Sequence, residues 1–129
     1  MAGIERVPGE AWEDAMGFSR AVAAGERVVV SGGIPFTGGV LQGEGDPYIQ
    51  AKAAFGNALD GIGELGAGIG SVIRTRMYIA HARDVDEAGR AHKELFDAVR
   101  PVGTLVVVSG FIDSRILVEV ELEAYRGES

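Results

Sequence analysis

The sequence predicts an α+β fold, a two-layer sandwich in which two helices cover one face of a single mixed sheet. Three observations point to it. Segments of strand and helix character follow one another as strands, helix, strand, helix, strands. Two segments carry apolar residues at helical spacing. Two others alternate between apolar and charged residues, as half-buried strands do. The 129 residues suit one domain over 1–129, and a chain of this length buries roughly two-thirds of its unfolded surface without staples.

Residues 1–16, broken by Pro8 and Gly9, read as irregular. "FSRAVAAG" (18–25) alternates loosely and ends in a glycine turn. "RVVVSGGIPF" (27–36) reads as a strand over 28–31 that breaks at Gly32 and Gly33. "TGGVLQGEG" (37–45) is a glycine-rich connection with a short strand around Val40 and Leu41. Asp46 at an N-cap and Pro47 at the first helical position start a helix that runs to about Leu65. Its predicted stripe is Ile49, Ala53 or Ala54, Ala58, Ile62 and Leu65, with Gly66 placed as the C-terminal cap. "SVIRTRMYIAH" (71–81) is a strand. Asp84 begins a second helix whose stripe is Ala88, Ala91 or His92, Leu95 and Val99, and Pro101 ends it. A strand over 104–110 follows, in which the unbroken apolar run 105–108 reads as buried on both faces. A turn at Asp113 and Ser114 leads to the last strand, 116–125.

Charge and composition exclude several function classes. Nineteen acids against 12 bases give a formal charge of −7. The bases do not cluster, so no nucleic-acid partner is expected. The absence of cysteine excludes disulfides, thiolate catalysis and cysteine-ligated metals, and is compatible with a cytoplasmic location. No apolar run approaches the ~20 residues that span a bilayer, and the acidic start "MAGIERVPGEAWEDAM" has no signal-peptide core, so no membrane association is expected. "GIGELG" (61–66) has dinucleotide-fingerprint spacing but follows a helical pattern and precedes a strand, the wrong order for phosphate binding. His81 and His92 lack metal-ligand spacing, and His92 reads as a packed residue at the edge of a helix stripe. No metal and no cofactor are expected.

The most informative pattern lies on two strands. In "VIRTRMYIA", Ile73, Thr75, Met77 and Ile79 share one face and Arg74, Arg76 and Tyr78 the other. In "LVEVELEA", Val118, Val120, Leu122 and Ala124 oppose Glu119, Glu121 and Glu123. If the strands are neighbours, arginines and glutamates neutralise one another. Two readings stay open: a solvated face of cross-strand ion pairs, worth about 0–1 kcal/mol each, or a face covered by another subunit beside a small-molecule site.

"GFSRAV" (17–22), "VVVSGGIP" (28–35), "NALDGIGELGAGIGSVIRTRMYI" (57–79), "AHKELF" (91–96), "RPVGTLVVV" (100–108) and "LVEVELEA" (117–124) together resemble the RidA/YjgF family, in order and spacing over almost the whole chain. The resemblance implies a chorismate-mutase-like fold, a homotrimer, and ligand pockets in the clefts between subunits. It also implies hydrolysis of reactive enamines or imines to a ketoacid and ammonium, with an arginine gripping the substrate carboxylate. That arginine position falls on Gly103, within Pro101-Val102-Gly103-Thr104, so the chain resembles the branches that lack it. The pocket tyrosine matches Phe18, the strand-end serine Ser31, the water-activating glutamate Glu119, and a helix asparagine Gly89. Backbone N–H groups near Gly32, Gly33 and Thr104 complete the expected ligand contacts, with Arg76 as a candidate source of charge. Three functions remain: a hydrolase of altered specificity acting on a small metabolite with Glu119 as its catalytic carboxylate, a non-catalytic metabolite-binding or partner-binding trimer, and a ribonuclease, which the acidic balance disfavours.

Overall fold

The computed structural model describes residues 3–127. Along them run β1 (Ile4–Pro8), α1 (Ala11–Ala15), β2 (Ser19–Ala24), β3 (Arg27–Gly33), β4 (Phe36–Thr37), β5 (Val40–Leu41), α2 (Pro47–Gly63), β6 (Val72–Ile79), α3 (Val85–Phe96), β7 (Val102–Val107) and β8 (Val118–Tyr125). Six strands form one mixed sheet in the order β1-β2-β3-β8-β6-β7, while β4 and β5 pair separately. β6 and β7 run parallel across the α3 crossover, and the other neighbours in the sheet are antiparallel.

The helix layer forms for the reasons the sequence suggests: Ala54, Ala58, Ile62 and Leu65 are buried as expected, and only the first position of the stripe differs. Asp46 caps α2, its Oδ1 accepting from the amides of Tyr48 (3.0 Å) and Ile49 (3.1 Å). The buried face runs through Gln50, Ala54, Phe55, Ala58 and Ile62, and Ile49 is exposed. Gln50 occupies the place expected of an apolar residue because its amide is fully used. Nε2 donates to the carbonyls of Gly43 (3.2 Å) and Arg115 (3.0 Å), and Oε1 accepts from the Leu117 amide (2.7 Å). Gly33 is required where β3, β8 and α2 meet. A Cβ there would lie 2.8 Å from Val120 Cγ2 and 3.1 Å from the Ala54 carbonyl oxygen. On α3, His92 packs against Phe55 and Phe96 and hydrogen-bonds with Thr75 Oγ1 (2.8 Å). Burial lowers its pKa, consistent with a packed neutral imidazole.

Three expectations need correction. The stretch 1–16 is not irregular within the described part: β1 pairs with β2, and α1 follows, with the Glu10 amide donating to Glu13 Oε1 (2.9 Å) at its start. Met1 and Ala2 lie outside the described residues. Ile73 does not share the face of Thr75, because a bulge between Val72 and Arg74 turns Val72 into the core and Ile73 outwards. The strand expected to be buried on both faces, β7, is the sheet's edge and all six of its residues are exposed in this single chain. Its register with β6 puts Gly103, Leu105 and Val107 on the helix side and Val102, Thr104 and Val106 on the other. α2 and α3 leave the first set exposed, and the second set faces away from both helices.

Candidate functional site

The face away from the helices carries the charges. Register places Arg74 opposite Glu123, Arg76 opposite Glu121, and Tyr78 opposite Glu119, so the two charged strands are neighbours. Glu121 accepts three hydrogen bonds: from Arg76 Nη1 (2.9 Å), Tyr78 OH (2.8 Å) and Ser31 Oγ (3.2 Å). Glu123 is paired with Arg27 and, at 3.7 Å, with Arg74. Arg76 is thus held by Glu121 on the flat of the sheet, outside the Glu119 cleft.

Glu119 sits at the end of this row in a different environment. Among the described residues no side chain pairs with its carboxylate. It lines a cavity of about 320 Å³ together with Trp12, Glu13, Phe18, Ser31 and Gly32. A second cavity, of about 340 Å³, shares Glu119, Trp12, Met16 and Ile112 and continues toward Phe111 and Asp113. Trp12 and Phe18 meet edge to face, with ring centroids 6.5 Å apart. Burial, then the Glu121 and Glu13 carboxylates, push the Glu119 carboxyl above its ordinary range. A half-buried acid of this kind, beside a hydroxyl and an apolar wall, has the chemistry of a proton-transfer group.

A larger depression of about 630 Å³ lies on the other side of Trp12, lined by Arg20, Phe36 and Asn57 among others. Its polar groups are already occupied. Arg20 donates to the Asn57 carbonyl (3.1 Å), and the Asn57 amide to the carbonyls of Ile34 (2.8 Å) and Phe36 (2.7 Å). The smaller cleft, with unpaired carboxylates, is the better candidate.

The sequence-derived set divides. Phe18, Ser31, Gly32 and Glu119 converge on the cleft, with Gly32 at φ +67°, where a side chain would strain the backbone. Gly33 instead faces α2 as a packing residue. Gly89 lies within α3 with nothing near its Cβ position and lines neither cleft cavity. Gly103 and Thr104 lie on β7, two strands from β8. Glu119 is level with Val106 through Tyr78, so Gly103 is three residues along and two strands across, about 14 Å away at ~3.3 Å per residue and ~4.8 Å per strand. Gly103 is also on the opposite face of the sheet. Arg100, next to Pro101, is not free to grip a ligand: its guanidinium is held by the carboxylate (2.6 Å) and carbonyl (2.7 Å) of Asp97. Among the cleft residues that escaped the sequence reading are Trp12 and Glu13 on α1. The available signal was the Glu10-x-x-Glu13 spacing after Pro8-Gly9, which marks a helix start in a stretch read as irregular.

Comparison with known proteins places this geometry in context. The family model described as endoribonuclease L-PSP matches residues 9–126. An uncharacterised protein of Streptomyces coelicolor is 66% identical over 119 residues, 92% of this chain and 89% of that one. A Pyrococcus abyssi protein of the RutC family is 28% identical over 112 residues, covering 84% and 86%. Among solved structures, Rv2704 of Mycobacterium tuberculosis, described as a member of the YjgF/YER057c/UK114 family, superposes with a TM-score of 0.86. It shares 34% identity over 95% of this chain and 99% of its own. Escherichia coli TdcF, solved with bound serine, gives a TM-score of 0.81 at 24% identity over 98% and 100%, a likeness of fold.

Proposed function

We propose, from the premise that the chain belongs to the YjgF/Rid family, that it is a hydrolase of small imines or enamines whose specificity differs from that of family members carrying the carboxylate-binding arginine. The observation that carries this is Glu119: a half-buried carboxylate, unpaired among the described residues, with its pKa raised, at the wall of a cleft that Ser31 and Phe18 also line. As general base, ionised Glu119 takes a proton from water as the oxygen adds to the C=N carbon. Protonated Glu119 returns that proton to the nitrogen, giving a neutral carbinolamine. A second transfer, from the carbinolamine hydroxyl through Glu119 to nitrogen, accompanies C–N cleavage, and the products are a carbonyl compound and ammonia, which takes a proton from solvent to become ammonium. Water supplies the oxygen, and no oxidant or reductant is needed.

The cleft is completed by a second copy of the chain in a homotrimer. Gly103 is about 14 Å and Thr104 about 12 Å from Glu119 within one chain by strand geometry, so they serve the same ligand only across an interface. β7 offers that interface: it is the sheet's edge, apolar, and uncovered on both faces. The mass in solution tests it. Trimer is expected for the wild type and its loss for Val106→Glu; a wild-type monomer would remove the shared pocket.

A non-catalytic metabolite-binding trimer is the second reading, favoured by the missing clamp, since Gly103 has no side chain and Arg100 is tied to Asp97. The test generates imines in situ from a panel of amino acids and amines with oxidases and follows carbonyl release, with Gly103→Arg alongside. The variant requires Thr75 Oγ1, 3.1 Å from the new Cβ, to yield slightly. Acceleration by the wild type supports the hydrolase. Acceleration by the variant alone means the scaffold lacks only the clamp. Saturable metabolite binding without turnover in either supports the binder. The family model carries the word endoribonuclease, yet a chain of net charge −7 with no basic stripe is poorly suited to a polyanion.

A further inference from the structure

The cleft around Glu119 contains a second carboxylate that the hydrolytic scheme does not use. Glu13 is only 4% exposed. One of its oxygens, Oε1, accepts from the Glu10 amide (2.9 Å). The other, Oε2, accepts no hydrogen bond among the described residues and points at Gly32 in the cavity wall, 3.4 Å from where a Cβ of residue 32 would be. Glu13 is close enough to Glu119 to contribute to raising its pKa. Two carboxylates therefore share one partly desolvated cleft with no cation among its lining residues. Three acids nearby are neutralised, in contrast: Glu121 by Arg76, Glu123 by Arg27 and Arg74, and Asp113 by Arg115.

The rest of the lining is apolar and aromatic. Trp12 and Phe18 form an edge-to-face wall, and Met16 and Ile112 extend it. Indole and phenyl faces attract a cation and accept an alkyl body equally well. Nor does the strand that a second copy would bring to the cleft restore positive charge. Residues 101–112 contain no ionisable side chain at all.

We infer that the cleft selects a small organic cation without a carboxylate: a protonated amine or iminium whose nitrogen lies between Glu13 and Glu119 and whose alkyl part rests on Trp12 and Phe18. This rests on the reading of the Glu119 cleft as the ligand site and assigns its substrate class. An iminium bound in this way is already activated toward water, because the positive charge makes its carbon electrophilic. The ammonium released is itself a cation that the two carboxylates accept. An anionic substrate, by contrast, meets two carboxylates and no counter-charge.

Trp12 is the chain's single tryptophan, so its fluorescence reports occupancy of this cleft. The experiment titrates the intact oligomer, at fixed ionic strength and pH 7.5 or so, with isobutylammonium, isovalerate and isobutanol, which share one alkyl group and differ in charge. Saturable isobutylammonium binding is expected, about ten-fold or more tighter than isovalerate, the size of one hydrogen bond to a charged group. Glu13→Gln should weaken isobutylammonium by a similar factor and leave isobutanol unchanged. Because Glu13 also starts α1, Glu119→Gln provides a second variant with the same expected loss. Isovalerate binding as tightly as isobutylammonium would overturn the cation assignment and leave the cleft standing as a ligand site. Trp12 silent to all three probes up to their solubility limits would overturn both.

Discussion

One strand carries two chemistries. Glu121 and Glu119 are two residues apart on β8 and point to the same side of the sheet. Glu121 is met by an arginine, a phenol and a hydroxyl; Glu119 is met by none among the described residues and by two more carboxylates nearby. Cross-strand register produces the difference. The partner of Glu121 is Arg76, whereas the partner of Glu119 is Tyr78, which turns its hydroxyl to Glu121 instead. α1 then supplies an acid, Glu13, where the rest of the sheet face has arginines. A row of like residues is thereby split into a paired part and a part without side-chain partners among the described residues.

The largest expected effect that sharpens this contrast is Glu119→Gln. On a substrate identified by the imine panel, turnover should fall by roughly 10²–10⁴-fold, the usual worth of a general base. The same variant should raise Tm at neutral pH. The folded-state pKa of Glu119 lies above its unfolded value, so the native state holds the proton more tightly and stability falls as pH rises through the folded value. Glutamine removes that loss, and its advantage should vanish at acid pH, where Glu119 is protonated in both states. A Glu119→Gln variant that is fully active, or less stable than wild type at pH 7, would break the contrast.

Glu121→Ala should act in the opposite sense, losing about 1 kcal/mol in urea unfolding, since it leaves Arg76, Tyr78 and Ser31 without their acceptor on a partly hydrated face. Its charge also contributes to raising the Glu119 pKa. Glu121→Gln should therefore move the acid limb of the pH–rate profile to lower pH, measured on kcat/KM. The smallest effect belongs to Arg27→Ala. Arg27 is largely exposed and Glu123 keeps Arg74, so the change should be within about 0.5 kcal/mol.

Much of the fold was legible because it follows from local pattern. Asp46-Pro47 starts α2 where its capping geometry dictates, and period-2 alternation along β8 matches the buried face of Val118, Val120, Leu122 and Ala124. The misses lie where a tertiary partner overrides the pattern. Gln50 is buried because three backbone groups satisfy it. Ile73 is exposed because a bulge resets the register. In the candidate cleft, Phe18, Ser31, Gly32 and Glu119 follow from the family resemblance, whereas Trp12 and Glu13 do not appear in it and sit on a five-residue helix too short to show any periodicity.

By itself the sequence determined the layer architecture and the opposite signs of charge on two alternating strands, since each depends on residue type and short-range spacing alone; that the two strands are neighbours was decided by the tertiary structure. Only the tertiary structure decided which glutamate would be neutralised and which left free. That choice depends on strand register and on α1 approaching β3 and β8, where burial and nearby carboxylates raise the free energy of an unpaired negative charge.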